Sequence, residues 1–151
     1  MHARSHAAAA GRFGRVIILA PLLVFCHASS AAESSVGPQG YDAARGRTLY
    51  IANCSACHGA DGRGQPNAFP PIKGSRVVTK DDATKHIQVV LDGVHGAKAG
   101  GVQYATPMPP FAGSLNDIDI ADIIDYERSS WGNHGKPVTA AEVAAQRARS
   151  K

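Results

Sequence analysis

The sequence predicts an all-α domain of three to four short helices joined by long loops, and three features carry that expectation. Apolar residues recur at helical spacing in separate short stretches, each preceded by a residue able to cap a helix. No stretch alternates long enough to predict a strand. Two segments, residues 59–75 and the stretch beginning with "GVHGAKAGG" and running through "VQYATPMPPFAGS", are too rich in glycine and proline for regular structure. Loops of such length inside a compact domain are usually functional, and here they are expected to wrap something.

The chain opens with Arg4, Arg12 and Arg15 and no acid, followed by the eleven apolar residues "VIILAPLLVFC" (Val16–Cys26) and then the small residues of "HASSAAES". A basic start, a short apolar core and an Ala-x-Ala-like end predict a secretory signal peptide over 1–32, cleaved after Ala28 or Ala32. The apolar run is shorter than the roughly 20 residues a membrane helix needs, so no membrane span is expected in the mature chain. Cys26 follows bulky Phe25, where a lipid-attachment signal calls for a small residue. Residues 33–41, "ESSVGPQGY", read as a flexible lead-in, and residues 42–151 as one domain.

Within that domain, Asp42 caps a helix through Asn53 that places Gly46, Tyr50 and Cys54 on one face. Thr79 followed by Asp82 reads as a capping box with Asp for the usual Glu. The helix it opens carries Ala83, Ile87, Val90, Leu91 and Val94 on one stripe. Asn116 with Asp119 caps a helix to about Ser130, whose buried side offers Ile120, Ile123 and Ile124. Thr139, with Glu142 completing the box, starts a last short helix.

Charge and composition narrow the function. The whole chain has a formal net charge of +4, but residues 33–151 hold 13 Lys and Arg against 12 Asp and Glu, leaving +1. The apparent basicity therefore belongs to the leader, and no Lys/Arg stripe with interleaved aromatics suggests a nucleic-acid partner. Large apolar side chains are scarce, and glycine, alanine and proline do much of the filling. Such a chain buries a modest core by itself, and a large apolar cofactor at its centre would make up the deficit.

"NCSACHG" (residues 53–59) names the cofactor. A structural zinc site needs four ligands, and no second cysteine pair is present, while His86, His95 and His134 lack the usual histidine spacing. A dithiol redox motif belongs near a strand-helix-strand pattern, which the sequence does not show. A plain disulfide would leave His58 and the long loops unexplained. C-x-x-C-H is the attachment signature of a c-type haem. At i and i+3, Cys54 and Cys57 face the same way, so both sulfurs can add to the porphyrin's two vinyl groups, and His58 at i+4 lies on that face under the iron.

Here the chain resembles the monohaem class I cytochromes c, over nearly all of residues 42–149. The resemblance rests on "AARGRTLYIANCSACHGADGRGQPNAFPPIKGS", on "TPMPPFAGSLNDIDIADIIDYERSSWGN" and on the "VTAAEVAAQR" tail. The tail is similar to cytochrome domains of bacterial periplasmic dehydrogenase complexes and to those fused to copper nitrite reductases. The resemblance implies the cytochrome c fold, with one covalently attached haem c, His58 as proximal ligand and a methionine on the other side of the iron. It also implies that a carbonyl of Pro70 or Pro71 accepts the proximal imidazole's second N–H, and that Gly46 meets Tyr126 where the first and last core helices cross, with Tyr50 and Trp131 nearby.

The sixth ligand decides whether such a haem carries electrons or binds small molecules. Met108 is the one methionine remaining after residue 32, and it stands in "TPMPP" between Pro107 and Pro109. Their fixed φ angles limit where its side chain goes, which suits a thioether that must meet iron in both oxidation states. His86, His95 and His134 are the rivals. Methionine opposite histidine raises the reduction potential. The expected protein is a periplasmic one-electron carrier, not an enzyme, monomeric or weakly dimeric, that works between redox partner proteins such as a dehydrogenase, oxidase or reductase. The alternatives are a tightly bound electron-transfer subunit of a dehydrogenase or reductase complex, and a haem peroxidase or gas sensor with an open sixth site.

Overall fold

Helix α1 (Ala43–Asn53) starts where the Asp42 carboxylate accepts the Arg45 N–H at 3.0 Å. The structure, a computed structural model, describes residues 40–150, so the signal peptide expected over 1–32 and all but the last two residues of the lead-in lie outside the described residues. A single turn, α2 (Ser55–His58), continues from α1 across Cys54, whose carbonyl accepts the His58 N–H at 3.0 Å. Among the described residues no helix is long and apolar enough to cross a membrane.

After the first long loop come another single turn, α3 (Arg76–Thr79), and then α4 (Thr84–Asp92). Thr79 does not cap α4, contrary to the capping-box expectation. Its hydroxyl donates back to the Ser75 carbonyl at 3.0 Å, closing α3, while Asp82 accepts the Thr84 N–H at 2.9 Å. Local side-chain bonding of this kind competes with helix extension and moves the helix start to Thr84. The expected apolar stripe is nonetheless in place, with Ala83, Ile87, Val90 and Leu91 buried and Val94 partly so.

The second loop departs from the sequence reading by containing a β-hairpin. Strand β1 (Ala97–Ala99) pairs antiparallel with β2 (Val102–Tyr104) around Gly100 and Gly101, whose φ angles of 57° and 84° suit a tight two-residue turn. Helix α5 (Asp117–Ser129) opens with the expected Asn116–Asp119 capping box, and α6 (Ala140–Arg147) with that of Thr139 and Glu142. The four expected helices are thus α1, α4, α5 and α6; α2 and α3 are single turns that periodicity cannot reveal.

Helices α1 and α5 cross at Gly46, where an added Cβ would run into the Asp122 carbonyl and come within 3.2 Å of Tyr126 Cβ. Tyr50, Tyr126 and Trp131 fill the space below, with ring centroids 5.1–5.4 Å apart in tilted and edge-on pairs. Arg45 on α1 ion-pairs with Asp119 and Asp122 on α5. A second apolar cluster, with Ile87, Leu91, Ile120, Ile124 and Val143 at its heart, joins α4, α5 and α6.

Two buried side chains of α5 bind the loops to this frame. Arg128 is 1% exposed and donates to the carbonyls of Val78 and Lys80 at 2.7 Å and of Lys136 at 2.5 Å. The Asp125 carboxylate accepts the Val138 N–H at 2.6 Å. Burial pushes the Asp125 carboxyl up to about 7, against the opposing pull of the Val138 N–H and Arg128.

Gly46→Ala is expected to lower the stability of the holoprotein by about 1–3 kcal/mol through overpacking, although alanine is the better helix former by up to about 1 kcal/mol. Denaturant unfolding measures it. Asp125 gives a pH signature. Its folded-state value lies above its ordinary 3.8, so its contribution to stability is fully present below that pH and is lost as pH rises through about 7. In Asp125→Asn, which keeps an oxygen for the Val138 N–H, melting temperature is expected to depend less on pH between about 4 and 7 than in the native protein.

Candidate functional site

A cavity of about 380 Å³ lies inside this frame, and both apolar clusters supply its walls. Val90, Met108, Phe111 and Leu115 come from one cluster, and Cys54, Ile72 and Val78 from the other. Cys54, Cys57 and His58 reach it from the α1–α2 junction, and Met108 from the second loop. All four residues singled out in the sequence therefore line one cavity. His95 and His134 are exposed and do not line it.

The position of His58 follows from its neighbours. The residue is 9% exposed, and its Nδ1–H donates to the Pro70 carbonyl at 2.9 Å. Of the two carbonyls left open by the sequence, Pro70's is the one that meets the ring. That bond sets the tautomer and leaves Nε2 as the nitrogen with a free lone pair. The loop holding Pro70 is itself anchored: the Tyr50 hydroxyl donates to the Gly59 carbonyl at 2.6 Å, and Asn133, 2% exposed, accepts the Gly74 N–H at 2.7 Å and donates to the Glu127 carbonyl at 2.8 Å.

Met108 is positioned by backbone. It exchanges two hydrogen bonds with Val94, at 2.9 and 3.0 Å, and the next residues supply N–H groups of Phe111 and Ala112 to the Val90 and Leu91 carbonyls at the end of α4. Those carbonyls have no partner within the helix, and the loop satisfies them. The approach needs Gly93, whose φ is 70° and where a Cβ would collide with the Met108 carbonyl and lie 2.8 Å from Pro109 C. Arg147 of α6 holds the far end of the loop through the Ala112 and Leu115 carbonyls and Asp117.

Cys54 and Cys57 are not bonded to each other, and before any cofactor is attached burial, Glu127 and the neighbouring Cys57 together push the Cys54 thiol above its usual range. Two residues of the wall escaped the sequence analysis as a pair. His86 Nε2 lies 2.7 Å from Glu127 Oε2, with both side chains 4% exposed, and His86 Nδ1 is buried without a partner. With Nε2 engaged by Glu127, His86 is a poor rival to Met108. An unsatisfied buried polar atom costs about 1–3 kcal/mol, so Nδ1 calls for a chemical reason.

These residues fit a c-type haem. The cavity is large and apolar for a domain of this size, two thiols stand at helical spacing on its wall, and an oriented imidazole and a neutral thioether face the same space. A hard cation would find none of its preferred carboxylate and carbonyl sets in that donor group.

Known proteins agree with this assignment of the fold. Residues 43–131 match the cytochrome c family profile. The chain is 35% identical over 105 residues to the cytochrome c subunit of a quinone alcohol dehydrogenase from Gluconobacter oxydans, a match covering 70% of this chain and 22% of that subunit. It is 35% identical over 111 residues to the gluconate 2-dehydrogenase cytochrome c subunit of Pantoea cypripedii, covering 72% and 25%. The chain thus spans about a quarter or less of these longer relatives. Cytochrome c-552 of Thermus thermophilus is 35% identical over 115 residues, and there the match covers 70% of this chain and 86% of the relative. On that profile and that span the chain belongs to the cytochrome c family, electron carriers with covalently bound haem c.

Proposed function

We propose that Cys54 and Cys57 would tether the haem, that His58 and Met108 would hold its iron, and that the protein is a one-electron carrier of the bacterial periplasm. The observation that carries this reading is the convergence of the two thiols, the Pro70-oriented imidazole and Met108 on one apolar cavity. When bound, the haem supplies one-electron exchange at iron.

The chain's own residues do the rest. The Pro70 carbonyl, by accepting the His58 N–H, makes the imidazole a stronger donor and keeps its plane from turning. Met108 offers a neutral thioether, which favours the reduced state and raises the potential. The backbone pair with Val94 and the Arg147 clamp keep that sulfur from moving far when charge changes. Val90, Phe111, Leu115 and Ile123 exclude water from the cavity, so little solvent must reorganise during transfer. The protein holds geometry constant, and the redox chemistry belongs to the cofactor.

The periplasmic location rests on the basic, apolar and small-residue pattern of 1–32. Redox partner proteins meet the carrier through a small, weak interface, as befits transient transfer. Residues 33–151 carry a net charge of +1, from 13 basic and 12 acidic residues, so salt has a modest effect on docking. A second reading, a bound electron-transfer subunit of a dehydrogenase complex, draws on the two subunits named above, whose names place them in such enzymes. Neither reading gives this chain a catalytic residue of its own.

Spectra of the oxidised and reduced protein are expected to show a covalent c-type haem with the weak far-red sulfur-to-iron band. Met108→Ala is expected to lose that band, lower the midpoint potential and bind carbon monoxide rapidly when reduced, whereas the native protein resists it. Persistence of the band in the variant removes Met108 from the iron, and a colourless protein with alkylatable cysteines removes the haem.

A further inference from the structure

We propose that Asn133 and Trp131 are positioning residues for the proximal ligand. They fasten residues 62–64 and 72–74 to the end of α5, keep the Pro70 carbonyl on His58 Nδ1, and so contribute to setting the reduction potential. The inference rests on the haem reading above. It starts from a backbone outlier: Trp131 has a φ of 55°, in the left-handed region that few residues other than glycine adopt. Strain of this kind persists where the surroundings over-determine it, and it points to a function.

The turn that holds Trp131 delivers two side chains to the loops beside His58. It closes where the Asn133 N–H donates to the Ser130 carbonyl at 2.9 Å. The indole lies against Gly62, where a Cβ would come within 2.5 Å of its six-membered ring. Tyr50 and Tyr126 pack on the same indole, with centroids 5.1 and 5.4 Å away. Asn133, 2% exposed, uses both ends of its amide. Its oxygen accepts the Gly74 N–H at 2.7 Å, and its nitrogen donates to the carbonyls of Glu127 at 2.8 Å and Ile72 at 3.4 Å.

From these contacts the path to His58 is short. The N–H groups of Ile72 and Lys73 donate to the Gly62 carbonyl at 2.8 and 2.9 Å, so the segments held by Trp131 and Asn133 are also bonded to one another. The Gly64 N–H donates to the His58 carbonyl at 2.7 Å, and a Cβ at Gly64 would lie 2.7 Å from the Pro70 carbonyl oxygen. Pro70 and Pro71 have no backbone N–H. The carbonyl that meets the imidazole is therefore placed by what flanks it. On one side Phe69 exchanges two bonds with Gln65, each 2.9 Å, and on the other Ile72–Gly74 is held by Gly62 and Asn133. Neither Asn133 nor Trp131 lines the cavity, so both act through the loop.

A carbonyl on Nδ1–H makes the imidazole a stronger donor, which favours the oxidised state and lowers the potential. A slack loop lets that carbonyl drift, weakens the donor and raises the potential. The effect is specific to the His58 side, because Asn133 and Trp131 make no hydrogen bond to the Met108 loop.

In the reduced native holoprotein the His58 Nδ1–H is expected to give a proton NMR signal protected from exchange with water. A signal that exchanges like that of a free imidazole overturns the proposal. Asn133→Ala is expected to speed that exchange on the order of tenfold and to raise the midpoint potential by up to about 59 mV, a tenfold change in a one-electron equilibrium. Trp131→Phe is expected to move both in the same direction by less. Val143→Ala is the control for lost stability alone: Val143 is 0% exposed in the other apolar cluster and does not line the cavity. It is expected to lower the melting temperature and leave exchange and potential at native values. Native values in Asn133→Ala, or equal shifts in Val143→Ala, overturn the proposal. If Asn133→Ala shows no native haem spectrum, Asn133→Asp is read by the same criteria, since it keeps an oxygen for the Gly74 N–H and loses the donor to Glu127 and Ile72. These failures would occur in a protein that still shows its haem spectrum, whereas failure of the haem reading removes the spectrum itself.

Discussion

The close contact between Gly46 and the backbone of Asp122 governs most of what this structure can do. Helix α1 ends in the Cys54–His58 segment, and α5 carries Ile123, Glu127 and Arg128, so the distance at their crossing sets the width of the cavity between them. A side chain at position 46 would push the two helices apart and separate Tyr50 from Tyr126 and Trp131. The aromatic group, the Arg45 pairs with Asp119 and Asp122, and the Asn133 bonds all presuppose that separation.

With the helices so placed, the apolar core is split into two clusters that share a cavity. Neither cluster is large. The side chains that line the cavity would face water in a chain lacking its cofactor, and anything bound there to the native state alone stabilises it by mass action. Covalent attachment of haem c, which the family carries, makes that stabilisation permanent. The scarcity of large apolar residues in the sequence and the volume of the cavity are therefore two views of the same fact.

What the sequence disclosed was local chemistry. Asp42, Asn116 and Thr139 each serve a backbone N–H three residues on, so their helix starts were readable, as was the C-x-x-C-H turn. Thr79 carried the same outward sign and misled, because its hydroxyl bonds backward to Ser75 and Asp82 serves Thr84 instead. The hairpin was missed although Gly100–Gly101 is a turn signal, since strands of three residues show too little alternation to be seen. His86 and Glu127 stand 41 positions apart, each a solitary polar residue on an apolar helix face, and no local pattern joins them. Arg128 and Asn133 were hidden for the same reason, since each bonds backbone groups of a loop far away in sequence. Met108 could be singled out from its bracketing prolines, but its bridge to Val94 could not.

Arg128 illustrates a different kind of economy. Its guanidinium grips Val78, Lys80 and Lys136 by their main-chain oxygens and touches no carboxylate at hydrogen-bonding distance. Such a clasp recognises the path of the chain and is indifferent to the identity of the residues along it. The exposed side chains of Lys80 and Lys136 take no part in that grip, whereas Val78 is also fixed by its place in the cavity wall; lysine, with a single nitrogen at the tip of a flexible stem, would be no substitute for the planar fork of Arg128.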